Sequence, residues 1–211
     1  MSRHARRLVR KVYRQLRFSS VLDVGCGPGL FLEELRNRYP LARLAGVDIS
    51  ATAISLARRR LPNAKLWEMD IVSEVPNGCY DLVTMIDVAE HIDDDVTALR
   101  NLRRVCRRHL VICTLEGRMR AFESEVGHVR NYRPGELEWK LRESGFALKG
   151  FIRWGWPAYS PMYRNLSRSI AAHQKKITPA RWLLAHAAYW LLLCNWPGRG
   201  DLIIALAGPE A

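Results

Sequence analysis

The run Val21-Leu22-Asp23-Val24-Gly25-Cys26-Gly27-Pro28-Gly29 limits the folds open to this chain more than any other segment. An apolar stretch breaks into three glycines within five positions, and Leu30-Phe31-Leu32 then resumes at helical spacing. A strand that ends in glycines and opens a helix makes a cradle for an anion or a polar ligand. Glycine lets the backbone turn there and approach a ligand closely.

The rest of the chain repeats this alternation. Residues 3–17 predict a helix, 20–24 a strand, and 29–38 a helix that ends before Pro40. Strands are expected at 44–48, 64–68, 80–86, 110–114, 146–152 and 202–206. Ser50 can cap a helix over 51–60 that Pro62 stops. A basic helix is expected from about 95 to 108, with Asp93-Asp94-Asp95 suiting its positive end. Another is expected over 135–144, closed by Gly145. The pattern predicts one domain: a doubly wound, seven-stranded, mostly parallel Rossmann-like α/β sheet with a helical insertion, 154–199, before the last strand. That insertion holds the apolar run Trp182–Cys194, which falls short of the roughly 20 apolar residues of a membrane crossing. It reads as a core or lid helix, or as one lying at a membrane surface.

Charge is uneven. The chain carries +12, and residues 1–17 supply seven of those charges with no acid. Leu8, Val9, Val12, Tyr13 and Leu16 fall on one face of that segment, so it reads as an amphipathic helix docked on the domain with its arginines outward. A second basic group is Arg100, Arg103, Arg104, Arg107 and Arg108. Basic faces can meet nucleic acid or anionic lipid, or simply solvent. The five cysteines show no paired spacing, which argues against a disulfide framework or a zinc site. The charged start lacks a signal-type apolar segment, so a cytoplasmic protein is expected.

The loop spacing bears on the ligand. Dinucleotide sites use GxGxxG. Here Gly25, Gly27 and Gly29 give GxGxG, with bulky Leu30 in the place of the third glycine. Asp23, Asp48 and Asp70 stand at or near the ends of three adjacent strands, where they repel phosphate. They suit an adenosine that carries a cationic amino-acid tail.

VLDVGCGPG, AGVDIS, EMDI and YDLVTMIDVAEHI, in this order at strand ends, resemble the class I S-adenosylmethionine-dependent methyltransferases, over about residues 18–150 and again at the last strand. The resemblance implies S-adenosyl-L-methionine as cofactor. It places the backbone of Gly25, Gly27 and Gly29 near the methionine part and Asp23 near its amino group. It assigns Asp48 to the ribose hydroxyls, with Ile49 on the adenine. It assigns Asp70 to the adenine amine, flanked by Met69 and Ile71, and sets Ile86 and Asp87 beside the methionine moiety. One departure is Arg107-Arg108-His109, which occupies the turn where a glycine pair often precedes strand five.

Methyl transfer from a sulfonium is an in-line displacement that asks mainly for alignment and exclusion of water. Oxygen and nitrogen acceptors often also need a base. His128, after strand five, is the first candidate, and a positioning role is the alternative. His91 is the second; Glu90 and His91 alone would make a poor metal site, and no metal is expected. Glu123 and Glu125 read as solvated loop acids. Tyr132, Trp154, Trp156, Tyr159 and Tyr163 could roof a pocket for a hydrophobic acceptor, or could fill an ordinary core. The leading expectation is O-methylation of a small hydrophobic or aromatic metabolite, as in quinone-pathway and secondary-metabolite methyltransferases, with no nucleic acid as acceptor. Two alternatives stand beside it. One is an RNA or protein methyltransferase that uses the basic first helix. The other is a non-catalytic cofactor-binding subunit in peripheral contact with an anionic membrane.

Overall fold

The computed structural model describes residues 3–160 and 195–210. It begins with helix α1, Arg3–Tyr13, and then alternates strand and helix. In order these are β1 Ser20–Val24, α2 Leu30–Arg38, β2 Arg43–Asp48, α3 Ala51–Arg60, β3 Lys65–Glu68 and β4 Tyr80–Ile86. A single 3₁₀ turn, Ala89–His91, leads to α4, Asp95–Val105, and β5, Cys106–Leu115. The short α5, Ala121–Glu125, precedes α6, Glu136–Glu143, and β6, Phe146–Trp156. A two-residue strand β7, Trp196–Pro197, and β8, Leu202–Pro209, complete the chain.

The strands line up as β3-β2-β1-β4-β5-β8-β6-β7. The first five are parallel, and β8 runs antiparallel between β5 and β6. The seven expected strands are therefore present, with β7 as a short addition at the edge.

Side-chain alternation sorts the core into two layers. Val21 on β1, Val111 and Cys113 on β5, and Ile204 on β8 pack with α1, α2 and α3. Their neighbours Leu22, Leu110, Ile112 and Ile203 pack with α4 and α6 on the other face. A period of two on each strand thus serves two covered faces, as a doubly wound sheet requires.

Helix α1 docks as its apolar stripe predicts: Val9 and Tyr13 are fully buried, and Arg6, Lys11 and Arg14 are exposed. Tyr13 Oη and Arg10 Nε both donate to Glu34 Oε1 at 2.7 Å, which ties the helix to α2. The helix stops at Tyr13, earlier than expected. Gln15 and Leu16 turn back to the carbonyls of Val12 and Tyr13, and the chain then reaches Ser19, whose N–H donates to Asp81 at 2.8 Å.

Two other boundaries differ from expectation. Helix α4 ends at Val105 instead of near 108, and Arg107, Arg108 and His109 already belong to β5. Its buried positions Ala98, Leu99, Leu102 and Val105 complete the helical stripe, and Cys106 takes an extended backbone. β6 runs on to Trp156 because β8 pairs with it from Phe146↔Pro209 to Trp154↔Leu202. The apolar run 182–194 lies outside the described residues. Among the described residues no helix is long and apolar enough to cross a membrane.

Leu102 is fully buried on α4, and Leu41 is almost wholly exposed. Leu102→Ala is expected to lower unfolding free energy by about 2–5 kcal/mol. Leu41→Ala should stay within about 0.5 kcal/mol of wild type. Urea denaturation followed by circular dichroism measures both.

Candidate functional site

The loop after β1 is built from left-handed turns. Gly25, Gly27 and Gly29 have φ of 67°, 53° and 80°. A Cβ on Gly25 would collide with Val88 Cγ2, so this position needs glycine for space as well as for conformation. Asp48, at the end of β2, holds the loop. Its Oδ2 accepts from Gly27 N–H at 2.8 Å, and its Oδ1 accepts from Ser50 N–H at 2.9 Å. Ser50 caps α3 by accepting from Ala53 N–H at 3.2 Å. Each carboxylate oxygen has more than one lone pair, so both can still accept from a ligand.

Beside this loop lies a cavity of about 600 Å³, in the range of small-molecule sites. Gly25, Asp48, Ile49, Met69, Asp70, Ile71 and Asp87 line it, as do Val88 and His91. Sequence-derived cofactor residues from the ends of four strands, β1 to β4, thus meet at one cavity. Ile49 is 73% exposed over the opening, which leaves a large apolar side chain free to cover a flat ring. Asp70 Oδ1 accepts from Val72 N–H at 2.9 Å, and Asn101 of α4 donates to the carbonyls of Ile71 and Val72. These bonds fix the turn that carries Asp70. Asp87 has φ of 53°, an unusual value for a non-glycine residue.

Four assigned residues do not line the cavity. Gly27 gives its N–H to Asp48, and Gly29 packs against Leu61 and Ala57. Ile86 packs against the layer of α1, α2 and α3. Asp23 is buried, and its Oδ1 accepts from Thr84 Oγ1 at 2.7 Å, so it braces β1 against β4. Burial raises its pKa to about 7, against the Thr84 hydrogen bond and with help from the Asp48 charge.

The 3₁₀ turn brings the catalytic candidates together. His91 Nδ1 lies 2.9 Å from Gly127 O. A carbonyl only accepts, so Nδ1 carries the proton and a neutral His91 keeps a lone pair on Nε2. The His128 ring stands edge-on to His91, with centroids 4.7 Å apart. Burial, then the His91 charge, lower the His128 pKa, which keeps the imidazole neutral at neutral pH. Glu90 is buried behind them and accepts from Thr114 Oγ1 at 2.7 Å. Burial and the Asp87 charge raise its pKa to about 7. Donor atoms of Glu90, His91 and His128 all lie within 4.8 Å of one another. Two imidazoles and a carboxylate are a donor set that fits a divalent cation. The sequence offered two of these groups side by side; folding adds the third from the loop after β5.

Several assignments need correction. Tyr132 is 1% exposed, and its hydroxyl donates to Asp95 Oδ2 at 2.8 Å, so it is a core strut and not a substrate contact. Trp154 and Tyr159 are buried on the opposite face of the sheet, where His4 of α1 stacks on Trp154 with centroids 4.9 Å apart. Trp156 is partly exposed but does not line the cavity. Tyr163 lies outside the described residues. Glu123 is buried, accepting from Arg120 N–H and Asn131 Nδ2 at 2.8 Å, and so holds the His128 loop. Val88, Asp93 and Asp94 line the cavity without having been singled out as site residues. The acid pair was legible only as a helix start, and Val88 carried no signal beyond its place next to Asp87.

Residues 22–113 match the family described as a methyltransferase domain. The trans-aconitate 2-methyltransferase of Afipia carboxidovorans is 34% identical over 101 residues, which cover 48% of this chain and 39% of that protein. An uncharacterized methyltransferase of Mycobacterium tuberculosis is 41% identical over 85 residues, 39% of this chain and 42% of its own. The matched stretch thus spans less than half of either relative. Among solved structures, an O-methyltransferase of a trans-AT polyketide synthase multienzyme of Brevibacillus brevis, in complex with S-adenosyl-L-homocysteine, has a TM-score of 0.67 at 17% identity. That match covers 97% of this chain and 75% of the other. The N-methyltransferase NodS of Bradyrhizobium japonicum, also with S-adenosyl-L-homocysteine, gives 0.62 at 18%, covering 99% and 86%. The cyclase SpnF gives 0.68 at 19%, covering 97% and 81%.

Two outcomes follow from this geometry. Gly25→Ala should weaken S-adenosylhomocysteine binding by at least about tenfold, since the new methyl meets Val88 and the backbone is strained. Adding Val88→Ala should recover part of that loss, as read by calorimetric titration. For the raised pKa of Asp23, the protonated form favours the fold. Its contribution is full below the unfolded carboxyl value and is lost as pH rises through about 7. Thermal melts without ligand should therefore show Asp23→Asn gaining on wild type between about pH 5 and about pH 8.

Proposed function

We propose that this chain, a member of the class I S-adenosylmethionine-dependent methyltransferases, methylates a small, apolar or aromatic acceptor at oxygen. Bound S-adenosylmethionine would supply an already activated methyl group on a sulfonium. The cavity residues fit it: Asp48 offers free lone pairs for hydroxyls, Asp70 stands at the next strand end, and Ile49 and Met69 are apolar neighbours. Five aspartates on the wall disfavour a pyrophosphate and suit a cationic ligand.

The observation that carries the acceptor reading is His91 on the cavity wall with the His128 ring edge-on behind it, centroids 4.7 Å apart. His128, held neutral, would take the acceptor hydroxyl proton. His91, fixed by Gly127 O, would orient it. Val126 and Val129, on either side of Gly127-His128, are 62% and 42% exposed, so the loop that carries His128 has apolar surface open to solvent. Asp87, Asp93 and Asp94 on the same wall oppose an anionic acceptor of the kind for which the trans-aconitate relatives are named. A second reading rests on Glu90: with both histidines it offers a divalent cation three donors. Loss of turnover on dialysis against a chelator, restored by manganese, would select it over the base. The cyclase SpnF shares the fold, so turnover has to be measured and not assumed.

The first experiment is calorimetric titration with S-adenosylmethionine, S-adenosylhomocysteine and NAD. Binding of the first two, absent for NAD and lost in Asp48→Ala, supports the cofactor reading; binding of none of them removes it. On an acceptor found by screening, His128→Ala should lower kcat by about 10² or more with S-adenosylmethionine affinity unchanged. The wild-type kcat/KM should rise with pH through a value below the ordinary imidazole range and be flat at neutral pH. An unchanged rate in His128→Ala would end its role as base.

A further inference from the structure

A second cavity, of about 430 Å³, opens at the opposite end of the sheet, where the parallel strands begin. Its chemistry is the inverse of the first. Arg36, Arg43 and Lys65 line it, with the amides of Asn63 and Asn77, and no carboxylate does. Leu44, Ala45, Leu61, Ala64 and Tyr80 supply its apolar lining, with Ala45, Leu61 and Tyr80 themselves largely buried.

Strand register builds the cationic rim. Arg43 opens β2 and Lys65 opens β3, with Lys65 opposite Ala45. Residues paired across parallel strands share a face, so Ser20, Arg43, Ala45 and Lys65 project to one side. Arg36 is positioned by donating to Arg60 O at 3.0 Å. Among the described residues, Arg43 and Lys65 are in no ion pair. The edge stays basic beyond the cavity. Arg107 and Arg108 open β5, and Asp81 between them and β1 is already held by the Ser19 N–H and hydroxyl. The Arg43 and Lys65 side chains are both exposed at the rim of the cavity and are free to turn toward a ligand.

We propose that this cavity is a binding site for a phosphate ester of nucleotide size. Arg43 and Lys65 hold the phosphate, and the Leu44, Leu61 and Tyr80 surface receives the flat body. The volume suits a mononucleotide. Paired donors on a guanidinium and an ammonium are what phosphate recognition uses. The five residues of β1 put about 16 Å between this end of the sheet and the glycine loop. A ligand here is therefore not the methyl acceptor. It tethers or regulates the domain, as a free nucleotide or as one unit of a single-stranded RNA.

The test is titration at low salt with AMP, with inorganic phosphate and with a short oligoadenylate RNA. It uses wild type, Arg43→Gln/Lys65→Gln, and a control, Arg59→Gln/Arg104→Gln, that removes two exposed cations outside the cavity. Expected is saturable AMP binding, weakened at least about tenfold in the cavity variant only, with S-adenosylhomocysteine affinity and thermal midpoint unchanged in both. RNA binding tighter than AMP and lost in the same variant assigns the phosphate to a chain. Equal binding assigns a free nucleotide. Absence of saturable AMP binding, equal weakening in the control, or RNA binding that survives Arg43→Gln/Lys65→Gln would overturn the site.

Discussion

Asp48 accepts hydrogen bonds from Gly27 on one side and Ser50 on the other, and the candidate site depends on that bridge. The glycine loop has no side chains with which to define its own shape. A carboxylate from the neighbouring strand supplies the definition, and the same carboxylate opens the cap of α3. Three segments, β1, β2 and the start of α3, are therefore set by one group at the rim of the cavity. The cost of leaving backbone N–H groups unsatisfied there makes the arrangement self-consistent before any ligand arrives.

Around that bridge the molecule is electrically divided. Asp48, Asp70, Asp87, Asp93 and Asp94 line one end of the sheet, and Arg36, Arg43 and Lys65 line the other. Strand polarity produces this separation, because parallel strands send all their carboxyl ends to one side. A chain with net charge +12 thus keeps a cavity of the opposite sign. A sulfonium and an ammonium suit the first end, and an oxyanion suits the second. The basic excess, read from composition as either a binding surface or a solvated face, acquires a location at strand starts and on α1.

The chain was readable wherever a local period or cap decided the outcome. Ser50 and the 51–60 helix, the buried run of β1, and the Tyr80–Ile86 strand stand where spacing placed them. Misreadings occurred where a distant partner decided. Arg107 and Arg108 look like the end of a basic helix, but Cys106 is pulled into β5 by pairing with Tyr80. Trp154 and Tyr159 look like pocket aromatics, but β8 draws Trp154 into the sheet and α1 covers it. Tyr132 has the ring a substrate might use, but its hydroxyl serves Asp95. Glu123 reads as a solvated loop acid, and it is a buried acceptor for its own loop.

By itself the sequence determined the α/β class, the glycine loop and the strand-end acids, because each follows from residue type and near-neighbour spacing. It also limited the ligand, since Leu30 and three aspartates are poor company for a pyrophosphate. Tertiary structure alone decided which side chains face the cavity. His91 and His128 meet only when the loop after β5 folds back on the 3₁₀ turn, and Gly25 faces Val88 only once β1 and β4 are paired. Those contacts join residues far apart in the chain, and no local pattern encodes the distance between them.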